Sequence, residues 1–389
     1  MKEDTIITTA GRDPAANHGI VNPPVYHAST IVHPTVAALQ AARAHRFEPG
    51  VYTYGRNGTP THTALEQAVT AIEGGDRSVC VGSGLAAINA SILAFVEAGD
   101  HVLMVDSVYG PARRFCDSFL GRFGVQTTYY DPCIGAGIAA LIEPRTKVVY
   151  VESPGSLTFE VQDIPAIAAA AHAAGAVVVM DNTWGAGLLF KPFEHGVDVS
   201  VQAATKYIVG HSDVMMGAIT TTAEHWQRVR QAASDLGAPS GPDDVYLALR
   251  GLRTLSVRLK RHQETGLTLA RWLQGRPEVR RVMHPALPED PGHALWQRDF
   301  RGACGLFGVV LGDYSDTAVA AMLDGMDHFA MGASWGGFES LILPTTPAAT
   351  RTATPWTEGT TLRIHAGLED PEDLIADLER GLARLAGTS

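Results

Sequence analysis

The chain has 389 residues, 46% of them apolar, and a formal net charge of −11. That length exceeds what one hydrophobic core usually holds, so a large domain and a smaller one are expected. An acidic balance without any basic run or arm excludes nucleic acid and an anionic membrane surface as partners.

Residues 1–60 lack strong periodicity. The start, MKEDTIITTAGRDP, carries acidic residues early and no apolar segment, which is not the pattern of a signal peptide. Asn22-Pro23-Pro24 and the stretch VYTYGRNGTPTH at 51–62 mark turn-rich backbone. This part is expected to be an extended arm that contacts a neighbouring subunit. A helix is predicted over 61–76, with Leu65, Ala68, Val69 and Ile72 on one face and Gly74-Gly75 as its stop. RSVCVGSG then predicts a strand and a glycine-rich turn, followed by a helix that Gly99-Asp100 ends. Strands are predicted at 101–110, 125–130, 147–155 and 176–185, with helices at 111–122, 135–142 and 163–174 between them. The apolar stretch 164–180 is broken by His172 and Gly175, so it reads as a helix entering a strand and not as a membrane span. VDVSVQAATKYIVGHSDVMMG (197–217) reads as strand, lysine, loop and the start of another strand. The β-α-β alternation from 77 to 220 predicts an α/β fold, with a mostly parallel sheet covered by helices on both faces. Right-handed crossovers bring the strand C-termini to one edge.

After residue 245 the pattern changes. A long helix is predicted over 246–275 as a bridge, and short strands and helices over 279–384 predict a smaller α+β unit. The domains expected are therefore the arm (1–60), the large sheet domain (61–248) and a C-terminal domain (249–389). Cys80, Cys116, Cys133 and Cys304 have no C-x-x-C spacing and suit reduced thiols in a cytoplasmic protein. His27, His62 and His172 have no ligand spacing, so no metal is expected.

Several chemistry-bearing residues fall at predicted strand ends, the edge where open α/β sheets bind ligands. Gly84-Leu85 opens a helix whose free N–H groups suit a phosphate; a plain tight turn is the alternative. The Gly82-Ser83-Gly84 pattern is not G-x-G-x-x-G, which disfavours a nicotinamide. Asp181 ends an apolar strand, either as a helix cap or as the partner of a protonated heteroaromatic nitrogen. Tyr109 is a surface tyrosine or a stacking ring. Lys206 at the mouth of a buried strand is a snorkelling lysine or an amine made nucleophilic by desolvation. Imine-forming lysine, phosphate cradle, aspartate and stacking ring together describe a site for pyridoxal 5'-phosphate.

The segments YTYGRNGTPTHTALE (52–66), ESPGSLTFEVQDI (152–164), MDNTWGAGLLFKP (180–192), ATKYIVGHSDVMMG (204–217), SWGGFESL (334–341) and LRIHAGLEDPEDLIADLERGL (362–382) resemble the Cys/Met-metabolism family of pyridoxal phosphate enzymes. The match runs along nearly the whole chain. The resemblance implies the aspartate-aminotransferase-like fold (fold type I). It gives Lys206 the covalent link to the cofactor and proton transfer at Cα, and Asp181 the ring nitrogen. Tyr109 would stack on the ring and take part in proton handling. Gly84, Leu85 and Thr205 would hold the phosphate. Tyr54 and Arg56 would reach the cofactor of a partner subunit, in a homotetramer made of two dimers. Ser334 and Arg363 would bind the substrate α-carboxylate, with Trp335 lining the pocket.

Ser334-Trp335 and ESPGS favour the subgroup that cleaves L-cystathionine at its β-carbon to homocysteine, pyruvate and ammonia. Cystine and other cysteine S-conjugates are further substrates to expect. The alternatives are relatives acting at the γ-carbon (a γ-synthase, a γ-lyase or an O-acylhomoserine sulfhydrylase) and, more remotely, a non-catalytic binding protein of the same fold. Two positions depart from the family pattern. Ala203 stands where many members carry a hydroxyl, and Ala333 where some β-lyases carry a tyrosine.

Overall fold

A computed structural model describes residues 1–387. Seven strands form the large sheet: β1 (Arg77–Val81), β2 (His101–Val105), β3 (Gln126–Tyr130), β4 (Thr146–Glu152), β5 (Val177–Asp181), β6 (Val199–Gln202) and β7 (Gly217–Thr221). They lie in the order β1-β7-β6-β5-β4-β2-β3. β7 runs antiparallel to both neighbours, and the remaining pairs are parallel. Every residue of β2 and of β7 is buried, as expected of strands covered on both faces.

The helices between strands begin where the sequence supplies caps. Thr59 and His62 form a reciprocal capping box before Pro60–Glu73, and Gly74 ends that helix at φ +82°. The predicted stripe Leu65, Ala68, Val69 and Ile72 is buried. Ser83 accepts the Ala86 N–H and starts the helix Gly84–Leu93 directly after β1.

The smaller sheet is antiparallel, in the order β10-β11-β9-β8, from β8 (Val279–Met283), β9 (Leu306–Leu311), β10 (Leu341–Thr345) and β11 (Thr361–His365). Leu374, Leu378, Leu382 and Leu385 of the last helix, Pro371–Gly387, pack in a second core that includes Phe307, Val309 and Ile364.

Four elements differ from the sequence reading. The predicted helix 246–275 is two helices, Pro242–Leu252 and Leu255–Gln274. Gly251 packs so tightly that a Cβ there would lie 2.1 Å from the Val209 carbonyl oxygen, and the Gly251 carbonyl accepts from Arg258 Nη2 at 2.8 Å. The span 135–142 is a 3-10 helix, Gly135–Leu141, beginning at a glycine with φ +50°. The span 111–122 contains a short α-helix, Gly110–Arg114, and then a wider π turn, Phe115–Leu120. The arm is not uniformly extended: it contains the helices Glu3–Thr9 and Val36–Ala44. Ile7 of the first is buried, and Arg253 donates to the carbonyls of Ile7 (2.6 Å) and Ala10 (2.8 Å), tying that helix to its own chain.

Asp106, just beyond β2, joins the two sheets' domains. Its carboxylate accepts the N–H groups of Thr352, Ala353 and Thr354, each at 2.9 Å, and pairs with Arg113 and with Arg351. Among the described residues no helix is long and apolar enough to cross a membrane.

Candidate active site

β6 ends at Gln202, and the chain turns through 204–209 before returning as β7. Thr205 closes this turn: its N–H donates to the Met216 carbonyl at 3.1 Å, and its hydroxyl accepts the Met216 N–H at 2.8 Å. Within the turn Lys206 is half-buried. Its Nζ donates to Ser334 Oγ at 2.8 Å and lies 5.4 Å from the Trp335 ring centre. Burial, seconded by the Arg363 cation, pulls its pKa down to about 8, while Asp181 acts in the other direction. An appreciable share of this amine is therefore unprotonated near neutral pH, unlike that of an ordinary lysine.

Asp181 ends β5 and is buried. It accepts the Thr183 N–H at 2.9 Å. Burial raises its pKa, opposed by Thr183 and by the Lys206 charge. Its register partner on β4 is Glu152, which accepts the Tyr109 N–H at 2.8 Å. Burial and the neighbouring Asp181 push the Glu152 carboxyl well up. The Tyr109 phenol is raised by desolvation and by these two carboxylates, against Arg114 and Arg363. Lys206, Asp181 and Tyr109 thus share one electrostatic neighbourhood at the strand ends.

Gly84 is pressed against Ala203: a Cβ on it would lie 2.6 Å from the Ala203 methyl. The helix N-terminus consequently sits beside the lysine turn. The N–H groups of Gly84 and Leu85 find no partner among the described residues, as the first N–H groups of a helix do without a ligand. Those donors, a buried carboxylate and a lysine of lowered pKa fit pyridoxal phosphate at its phosphate, ring nitrogen and aldehyde respectively.

Arg363 lies on β11, and its Nη2 donates to the carbonyls of Gly332 (3.1 Å), Ala333 (3.2 Å) and Ser334 (3.0 Å). Burial lowers its pKa from the usual arginine value. Tyr54 and Arg56 are not drawn to this group within the chain. Tyr54 is exposed, and Arg56 donates to the Ser234 carbonyl at 2.8 Å. A cavity of about 350 Å³ between residues 46–52, Arg77 and Trp226 includes none of Lys206, Asp181 and Tyr109.

Sequence reasoning missed the supports. Glu73, at the end of its helix, is wholly buried and accepts from Asn182 (3.3 Å) and Gln202, the neighbours of Asp181 and Ala203. Gly336 has φ +86°, and a Cβ on it would lie 2.9 Å from the Lys206 carbonyl carbon. The glycine pair in SWGG was the only signal for this approach. Among the described residues no group of three or more His, Cys, Asp or Glu side chains could hold a metal.

A mostly parallel sheet with a desolvated lysine at its edge, joined to a smaller antiparallel domain, defines a fold-type I pyridoxal phosphate enzyme. Superposition agrees: the structure of cystathionine gamma synthase from Xanthomonas oryzae pv. oryzae, in complex with aminoacrylate and cysteine, matches with a TM-score of 0.90, 33% identity and 100% of each chain covered. The sequence matches the Cys/Met metabolism PLP-dependent enzyme family over residues 4–383, and the chain belongs to that family. It is 51% identical over 384 residues to a putative cystathionine beta-lyase of Rhizobium johnstonii, covering 98% of this chain and 96% of that one. It is 46% identical over 391 residues to the cystathionine beta-lyase MetC of Escherichia coli, covering 99% of each.

Proposed function

We propose that this enzyme is a cystathionine β-lyase, which splits L-cystathionine into homocysteine, pyruvate and ammonia. The observation that carries the reading is the joining of Lys206 Nζ to Ser334 Oγ, with Arg363 bonded to the Ser334 carbonyl. On this reading, the base for the Cα proton stands next to the cation for the α-carboxylate. When bound, pyridoxal phosphate supplies an aldehyde for amines and a ring that takes up the electron pair left at Cα.

Lys206 would hold the cofactor, yield it to the substrate amine, and then take the Cα proton. Asp181, fixed by Thr183, would keep a proton at the ring nitrogen, and Tyr109 would lie against the ring. Gly84 and Leu85 would hold the phosphate through their N–H groups. Thr205 would add its hydroxyl by turning away from the Met216 carbonyl, which still keeps the Thr205 N–H. Only Nη2 of Arg363 is engaged by protein carbonyls, so its remaining N–H groups are available for a carboxylate. Trp335 would wall the pocket. For the substrate's second carboxylate, Arg114 is available: it is exposed, its charge acts on Tyr109, and among the described residues its side chain has no hydrogen bond or ion pair.

The same reading includes a homotetramer of two dimers, in which Tyr54 and Arg56 serve the partner's site. It also includes a cytoplasmic location, suited by four free cysteines, and the division into 1–60, 61–248 and 249–389. Incubation with L-cystathionine, with identification of both the keto acid and the thiol, tests the reaction. Pyruvate with homocysteine is expected. 2-Oxobutyrate, or turnover only with an O-acylhomoserine, would move the assignment to the γ-acting relatives. No turnover and no lysine-bound cofactor would leave the binding-protein reading.

A further inference from the structure

Residues 332–337 form a ribbon that leads from the smaller domain to the lysine. It brings three things to Lys206: the Ser334 hydroxyl, the Trp335 ring, and the Gly336 backbone packed on the Lys206 carbonyl carbon. The ribbon is not a strand, so its position depends on what grips it. Two side chains on one face of β11 do so, as residues two apart along a strand can. Arg363 holds the first half through the carbonyls of 332, 333 and 334. His365 holds the second half. Its Nε2 lies 3.1 Å from the Gly336 nitrogen and 3.2 Å from the Gly337 oxygen, so it can accept from the first or donate to the second.

His365 is itself closely confined. It is fully buried, with the Tyr207 ring centre 6.0 Å away and the His262 ring centre 5.1 Å away. Tyr207 in turn packs on Trp335 at 5.4 Å. Burial, with His262, Arg363 and Lys206 nearby, drives the His365 pKa down to about 3, so the ring is neutral at any working pH.

We propose that His365 is a positioning residue: with Arg363 it fixes the 332–337 ribbon so that Ser334 and Trp335 meet Lys206 and the substrate carboxylate. The inference rests on the proposed β-lyase reading for its substrate, but not for its geometry.

The test compares two variants of similar size in the holoenzyme. His365→Gln keeps both a donor and an acceptor, whereas His365→Leu keeps neither and suits a buried apolar site at least as well. The expected result is a fall of about tenfold or more in kcat/KM for L-cystathionine in the Leu variant, borne mainly by KM. The Gln variant is expected to stay within about threefold of the parent. In parallel, the pH at which the visible band of the lysine-bound cofactor titrates should move in the Leu variant and return in the Gln variant. If the Leu variant does not fold, His365→Met, which likewise offers no donor to the ribbon, takes its place and is expected to show the same pattern. Equal behaviour of the Leu and Gln variants, or losses that merely follow melting temperature, would overturn the inference. If the parent enzyme forms no pyruvate from L-cystathionine, the β-lyase reading fails, and the band titration alone decides on His365.

Discussion

Lys206 loses much of its hydration in the turn after β6 and faces the Arg363 cation, so its amine releases a proton near pH 8 and not near the usual lysine value. For a base of lowered pKa, the neutral form grows tenfold per pH unit below the pKa and levels off above it. Capture of pyridoxal phosphate by cofactor-stripped protein should therefore quicken about tenfold between pH 6 and 7 and become flat above about pH 8. Visible absorbance followed after mixing gives that curve, and acceleration continuing to about pH 10 would show an unperturbed amine. Lys206 and Asp181 were legible in the sequence because each follows a run of apolar or small residues in a strand buried on both faces, where a charge is conspicuous. Gly336, His365 and Glu73 were not. Their roles come from contacts with residues more than a hundred positions away for Gly336 and Glu73, and across the 332–337 ribbon for His365.

Between elements, a dense polar joint lies at the end of β2, around Asp106. Burial raises the pKa of Asp106, but the N–H groups of Thr354 and Thr352, with Arg113 and Arg351, outweigh it and leave the carboxyl below its ordinary value. A carboxyl depressed on folding adds stability that is present above its unfolded pKa and is lost as pH falls toward the folded one. Asp106→Asn leaves the buried Arg113 without its carboxylate, while Arg351 keeps Glu160 at 2.8 Å, so a loss of about 3 kcal/mol, the low end for a broken buried pair, is expected. The variant should unfold at lower denaturant concentration at pH 7, and the gap from the parent should narrow as pH falls below about 4. A constant gap over that range would show that the loss is packing and not charge. The β-α-β alternation made the large sheet readable, since each strand carries its own apolar run and turn. The break at 253–254 was not readable. Leu spacing continues through it, and the close approach of Gly251 to the Val209 backbone just before it is a long-range contact that local sequence does not encode.

At the scale of the whole molecule, one question is how a site assembled at strand ends is completed. Tyr54 and Arg56 belong to a turn-rich segment on the surface, and the Arg56 side chain donates to the Ser234 carbonyl and not to the Lys206 group. If each reaches the cofactor of a partner subunit, as the assembly proposed above requires, two different defects should complement one another. A Lys206→Ala chain lacks the amine but still offers Arg56; an Arg56→Ala chain keeps the amine but offers nothing to its neighbour. Co-expressed in equal amounts, half of the dimers are mixed, and one of the two sites in each holds both an intact Lys206 and an intact partner arginine. Recovery to about a quarter of parental turnover is therefore expected from the two-fold symmetry of the pair. Purified co-expressed protein, compared with each variant alone, gives the measurement. Activity no greater than the average of the two variants alone would mean that Arg56 serves its own chain or none, and that the site is complete within one subunit.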